Sequence, residues 1–254
     1  MDKLPLKKIH LFTNELKIAN ILNSHFYISK VFTENKTICK KKGKKIFLVK
    51  NLKDLNKINI DQKVDLAVSY GFGFIFTKLF IQRYNEGIWN IHPGDLPKYR
   101  GRHPITAAFL NDEKKIGISI HRVDEKIDRG YLLSKSFVSR TYKDDEVSIK
   151  NKIFSKIPKL MRSAKKNIKN KKILKIGKGK YHKPFFNGIK INDSKKFDYI
   201  YIYNAAKAQK FFGGITVNGK KYYDALFYKN NKVNPTNDIL VCKNNKKIIL
   251  INKE

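Results

Sequence analysis

Cysteine is nearly missing from this chain of 254 residues: only Cys39 and Cys242 occur, far apart and outside any C-x-x-C or Cys/His grouping. That rules out a disulfide framework, leaves too few ligands for a structural zinc site, and suits a reducing compartment. Arginine is scarce too, at seven of 55 basic residues against 21 acidic ones, so the net charge of +34 is a lysine charge. Such a charge ordinarily points to nucleic acid or another anionic surface. Here the lysines are dispersed, with only short runs such as Lys40-Lys41-Lys42 and Lys171-Lys172. They accompany abundant Asn and Ile, a bias that AT-rich coding produces without selection for binding. No segment approaches the roughly 20 apolar residues that span a bilayer, and Met1-Asp2-Lys3-Leu4-Pro5 lacks a signal peptide's apolar run. A cytosolic protein without a membrane partner is expected. There is no internal repeat, and no G-x-G-x-x-G follows the first apolar run, which argues against a dinucleotide fingerprint.

What is present is enough for a core, with 41% hydrophobic residues in a length that holds one large domain or a medium one with an appendage. Lys8 to Thr13 reads as a buried strand, with a helix start at Asn14-Glu15-Leu16 and further apolar runs at 26–32 and 45–49. Val64 to Tyr70 is a buried strand that ends at Gly71-Phe72-Gly73-Phe74. Thr77 can cap a helix that Gly87 stops. Trp89 to His92 is the next strand, Pro104 to Leu110 the next helix, and 117–123 and 131–138 alternate as two strands. A long helical pattern runs from Asp144 to Asn170, in which Pro158 should kink or shorten it. This rhythm predicts an α/β fold with a mainly parallel, Rossmann-like sheet over residues 1–186. From 187 to 254 a small β-rich C-terminal module is expected, from segments such as Tyr199 to Tyr203, Ile215 to Val217, Tyr222 to Tyr228 and Ile248 to Ile251. Val217-Asn218-Gly219-Lys220 is its hairpin signal.

The richest stretch is Trp89-Asn90-Ile91-His92-Pro93-Gly94. Residues two apart on a strand share a face, so Asn90 and His92 point together while Trp89 and Ile91 anchor the other side. Pro93 and Gly94 end the strand there, at the carboxyl tip where open α/β sheets place ligands. An amide, an imidazole and the later carboxylate of Asp128 form an acyl-transfer set; the bland alternative is a capped strand end. The longer series is Asn90-Ile91-His92-Pro93-Gly94-Asp95-Leu96-Pro97-Lys98-Tyr99-Arg100-Gly101, then Gly117-Ile118-Ser119-Ile120-His121, then Ile127-Asp128-Arg129-Gly130. It resembles the folate-dependent formyltransferases, with their N-x-H-P-S/G-x-L-P-x-x-R-G and later D-x-G segments. The clear resemblance covers about residues 64 to 135. Gly94 matches the variant in members that formylate nucleotide-linked amino sugars, whereas Asp95 and Arg129 depart from the usual apolar and small residues.

That resemblance implies transfer of a formyl group from 10-formyltetrahydrofolate to an amine, without a metal. Asn90 and a protonated His92 would donate to the developing oxyanion. Asp128 would favour the imidazolium and accept the amine's proton. The turn Ser69, Tyr70, Gly71, Phe72, Gly73, Phe74 and the Asp128 loop would hold the pterin, largely through backbone groups. Arg100 and His121 are candidate substrate contacts, each with a structural alternative. Lys207-Ala208-Gln209-Lys210-Phe211-Phe212-Gly213-Gly214 is similar to the R-A-x-x-P-Y-G-G segment of the sugar formyltransferases. It suggests Lys207 and Lys210 on a diphosphate, and Phe212 or Tyr222 stacked on a pyrimidine. The implied acceptor is a nucleotide-linked amino sugar, such as a thymidine-diphosphate 4-amino-4,6-dideoxyhexose, for glycan synthesis. Methionyl-tRNA is the alternative acceptor, favoured by charge and disfavoured by the short C-terminal module; glycinamide nucleotide fits least, for want of a phosphate loop. From a different functional class, the alternatives are a basic nucleic-acid-binding module and an inactive formyltransferase relative. A homodimer is left open.

Overall fold

The computed structural model describes residues 7–40, 45–60, 63–228 and 237–252, so Met1 to Pro5 and the pair Lys41-Lys42 lie outside it. Five strands form the parallel part of the main sheet: β1 (Lys8–Thr13), β2 (Tyr27–Thr33), β3 (Ile46–Leu48), β4 (Leu66–Tyr70) and β5 (Ile88–His92). β6 (Lys115–Arg122) pairs antiparallel to β5, and β7 (Tyr131–Ser139) with β8 (Leu174–Lys175) completes the order β3-β2-β1-β4-β5-β6-β7-β8. The chain thus winds outward from β1 to β3, returns beside β1 as β4, and continues the other way. The gap between the carboxyl ends of β1 and β4 is a topological switch point, the place where such sheets bind ligands.

The helices follow local signals. α1 (Lys17–Leu22) buries Ile18, Ala19 and Leu22, and α2 (Lys36–Cys39) and α3 (Leu52–Asn56) start at Asn35 and Asn51, whose side chains accept from backbone N–H groups. Thr77 caps α4 (Lys78–Ile81) through the Phe80 N–H at 3.2 Å, as its hydroxyl predicts. Pro104 opens α5 (Pro104–Leu110) at its first turn. Pro158 sits inside α6 (Glu146–Lys169) without ending it: its apolar face, from Ile149 through Ile153, Ile157, Leu160 and Met161 to Ala164, is buried and outweighs one missing hydrogen bond. Phe12, Phe32, Phe76, Phe80 and Tyr84 pack among the apolar residues beneath β1 and β4.

Packing divides the chain into two compact units: Met1–Arg100 with Gly117–Ser136 and Ile153–Lys180, and Gly101–Ile116 with Phe137–Lys152 and Tyr181–Glu254. Tyr181 lies near the expected change of character at 187, but the second unit also takes in the two earlier segments. Within it, β9 (Ile189–Ile191), β10 (Ile215–Val217) and β11 (Lys220–Tyr222) form one small sheet, the last two joined by the expected Asn218-Gly219 hairpin. β12 (Asp224–Phe227), β13 (Asp238–Val241) and β14 (Lys247–Ile251) form another. Between β9 and β10 the chain runs through α7 (Tyr199–Gln209), which corrects the strand expected at Tyr199 to Tyr203. The Tyr/Ile alternation imitates a strand, but Asp198 caps the Ile200 N–H at 2.7 Å and Ala205, Ala206 and Ala208 continue the helix into a buried position.

Candidate active site

β5 buries both of its faces. Ile88, Trp89 and Ile91 are in the core, His92 is 4% exposed, and only Asn90 is partly open. The antiparallel register sets Asn90 opposite His121 and His92 opposite Ser119. Cross-strand neighbours on one face are close enough for their side chains to interact. His92 Nε2 lies 2.7 Å from the Tyr99 carbonyl, which can only accept, so that nitrogen carries a proton. Its Nδ1 faces Asp128 Oδ1 at 3.4 Å, and both side chains are 10% exposed or less. The Nε2–H is therefore committed to backbone, and the nitrogen beside the carboxylate is Nδ1.

Asp128 sits at positive φ (51°), a conformation Asp tolerates better than most residues. Three features hold it there. Arg100 donates from Nε and Nη2 to the Ile127 carbonyl at 3.1 and 2.6 Å. The Arg129 N–H donates to Lys126 O at 3.2 Å. Gly130, at φ 96°, lets the loop press on β6: an added Cβ would stand 2.0 Å from the Arg122 carbonyl oxygen. The structure thus resolves Arg100 toward its structural alternative, a clasp on the Asp128 loop. Two contacts escape sequence reasoning. Ser119 Oγ donates to Gly94 O at 2.8 Å and accepts from Leu96 N at 3.1 Å, pinning the turn after β5. Lys135 pairs with Asp95 at 2.7 Å, which gives the unusual Asp95 a partner on β7. Ser119, in the Gly117-Ile118-Ser119-Ile120-His121 part of the series, was the signal for the first; the second had none.

His121 is entirely buried, so it cannot be a substrate contact. Nδ1 lies 2.9 Å from the Arg129 carbonyl, and Nε2 lies 3.1 Å from Asn90 Nδ2 and 3.9 Å from Asp128 Oδ1. Burial pushes its pKa down from 6.5 to about 4, against the opposing pull of Asp128. The unfolded chain takes up a proton below pH 6.5 that the folded chain refuses until about pH 4. His121 therefore contributes stability that is complete above about pH 6.5 and is lost as the pH falls toward 4. By pH 4.5 the loss should reach roughly 2 to 3 kcal/mol. Urea unfolding at pH 7 and 4.5 should show the parent losing about that much more than His121→Asn; equal losses would mean that His121 titrates normally.

The turn after β4 lies at the switch point. Ser69 and Tyr70 are buried, Tyr70 with its ring 5.5 Å from that of Phe154, so they offer only backbone groups there. Asn14 donates to Gly71 O at 3.1 Å and to Glu34 Oε1 at 3.0 Å, and Glu34 Oε1 also accepts from the Gly73 N–H. Loops after β1, β2 and β4 are thereby tied into one rim, another contact that the sequence did not announce. An added Cβ on Gly71 would meet nothing within 4 Å, while Phe72 and Phe76 stack at 5.7 Å against the core of this half of the sheet. Phe74 meets Phe72 edge-on at 5.7 Å.

In the second unit, the expected ligand residues are differently employed. Lys207 and Lys210 both reach Asp224, at 2.7 and 2.6 Å. Burial works against ionised Asp224, but these two ammonium groups hold its carboxyl below the usual range. Tyr222 is core, its hydroxyl donating to Asp238 at 2.6 Å, which corrects the expectation of a stacking platform. Phe212 is exposed, with the Lys150 ammonium 4.8 Å over its ring. Among the described residues no helix is long and apolar enough to cross a membrane, and no cluster of three or more His, Cys, Asp or Glu could hold a metal ion.

Residues 10–164 match the family model described as formyl transferase. The methionyl-tRNA formyltransferase of Borreliella burgdorferi (strain ZS7) is 33% identical over 131 residues, 48% of this chain and 42% of that protein. The match thus spans less than half the length of that curated relative. Among solved structures, an N-formyltransferase from Helicobacter canadensis, in complex with folinic acid and dTDP-3-aminofucose, aligns over 98% of this chain and 100% of its own, at 18% identity and a TM-score of 0.69. A 4-N formyltransferase from Francisella tularensis aligns over 98% and 97%, at 19% identity and a TM-score of 0.65. At such identities the likeness is one of fold.

Proposed function

This chain belongs to the formyltransferase family, and from that premise we propose that it moves a formyl group from 10-formyltetrahydrofolate to the amine of a nucleotide-linked amino sugar. The observation that carries the reaction is the meeting of Asn90, His92 and Asp128 at the carboxyl end of β5. Bound at the switch point, with Ser69 to Phe74 around its ring, the folate would supply an activated formyl carbon. Asn90 keeps an N–H for the oxygen that becomes negative as the amine adds to that carbon. Asp128, with His92 Nδ1 beside it, takes the proton that the amine must lose, directly or through water. The new C–N bond forms, the bond to the folate nitrogen breaks, and a proton returns to that nitrogen. Burial of the pair strengthens each of these electrostatic contacts relative to water.

For the acceptor, the support is Gly94 and the fold of the whole chain, which is shared end to end with a neighbour whose complex contains dTDP-3-aminofucose. Phe212 with Lys150 offers a ring and a cation for a nucleotide. Lys207 and Lys210 act instead by holding Asp224. The second reading, methionyl-tRNA, is favoured by the curated relatives over the matched segment and by the net charge of +34. Rates measured side by side on thymidine- and uridine-linked amino sugars and on initiator methionyl-tRNA separate them. Turnover of a sugar nucleotide, with none of the tRNA, is expected. Efficient formylation of the tRNA alone, with a steep salt dependence from phosphate contacts, would replace the sugar reading.

A further inference from the structure

Both ring nitrogens of His121 are engaged, and the partners lie on opposite sides of the site. On one side is the carbonyl of Arg129, the residue after Asp128; on the other is the carboxamide of Asn90. We infer that His121 is a positioning residue, carrying a hydrogen-bond chain from the Asp128 loop to Asn90 and thereby fixing which end of the Asn90 carboxamide faces the reacting carbon. This rests on the formyl-transfer reading.

The chain has a direction. A carbonyl only accepts, so Nδ1 must carry the hydrogen, 2.9 Å from Arg129 O. A neutral ring then has a lone pair on Nε2, and only the NH2 end of Asn90 can satisfy it, at 3.1 Å. A carboxamide can otherwise turn over with little change of shape, exchanging donor for acceptor. The reversed amide would set oxygen against the Nε2 lone pair, and its donors would leave the position the chain gives them. Held as observed, Asn90 spends one N–H on His121 and keeps the second for the oxyanion. Two charged or titratable neighbours face the ring: Asp128 at 3.9 Å pulls a proton toward Nε2, and His92, its ring 6.5 Å away and nearly perpendicular, opposes it. Complete burial sides with His92, keeping the ring neutral and the chain's direction fixed. A phenylalanine of similar shape would strand both the Arg129 carbonyl and the Asn90 N–H.

The test pairs spectroscopy with kinetics. In nitrogen-15 NMR of the parent, His121 should remain the neutral Nδ1–H tautomer from pH 5 to 8. The Asn90 side-chain amide, assigned by its loss in Asn90→Asp, should exchange slowly with water. His121→Phe should abolish that protection and lower kcat about 10- to 100-fold, with KM for donor and amine within about threefold, since the lost interaction belongs to the transition state. His121→Gln places an acceptor near the Nε2 position and should recover most of the rate, while His121→Asn, which reaches only toward Arg129, should not. The limbs of the pH profile should stay in place in every variant. A freely exchanging Asn90 amide in the parent overturns the inference whatever the turnover. So does His121→Phe within threefold of the parent, or loss of the acid limb in the variants. An intact hydrogen-bond chain in a parent that formylates no acceptor would instead overturn the formyl-transfer reading, and this inference with it.

Discussion

Asp128→Asn should lower turnover by roughly 10³-fold, the scale of a lost general base, while the fold and folate affinity hold. The substitution keeps the shape that the loop needs. Asn tolerates the same positive φ, and Arg100 grips the neighbouring Ile127 carbonyl rather than the carboxylate. What disappears is the negative charge 3.4 Å from His92 Nδ1 and the oxygen able to take a proton. Activity should fall in kcat and kcat/KM alike, because neither substrate's ground-state binding depends on the lost acceptor. Steady-state kinetics and folate titration check it. Turnover within tenfold of the parent, with an unaltered pH profile, would make Asp128 a loop residue only.

His92→Asn should cost roughly 10² to 10³ in turnover, comparable with removing a donor or proton-handling group from a preorganised site. The ring is 4% exposed, and its Nε2–H holds the Tyr99 carbonyl at 2.7 Å. Asn retains a donor but not the second nitrogen beside Asp128. Some loss of stability should accompany the smaller side chain, so the unfolding midpoint is measured along with kcat. A folded variant with turnover within tenfold of the parent would remove His92 from the mechanism.

How far the sequence foretold this arrangement depended on whether the cause was local. β5 and its turn were legible because a period of two, ended by Pro93-Gly94, has few other solutions. The Asp128 loop was legible through the resemblance of Ile127-Asp128-Arg129-Gly130 to the family's D-x-G segment, while the close approach of Gly130 to the β6 backbone emerges only in the fold. Arg100 was ambiguous because a guanidinium serves a carbonyl or a ligand anion equally well. Only the fold brings it to Ile127 O. Tyr199 to Tyr203 misled because alternating Tyr and Ile satisfy a strand pattern, and the cap at Asp198 had to be weighed against it. Lys207 and Lys210 looked like anion binders because their partner, Asp224, belongs to a separate strand that no spacing rule connects to them. His121 showed its type in the sequence but not its burial, and burial is what turns it from a ligand into a support.

The reaction is tested by following the formyl carbon itself. The parent chain and Asp128→Asn are each incubated with 10-formyltetrahydrofolate carrying carbon-13 in the formyl group, together with thymidine-diphosphate amino sugars, and the products are read by mass spectrometry and carbon NMR. A labelled formamide on the sugar amine is expected with the parent, at least a hundredfold less with Asp128→Asn on the scale of a lost general base, and deformylated folate in equal amount. Labelled product formed equally well by both proteins, or by neither with any amine offered, would contradict it.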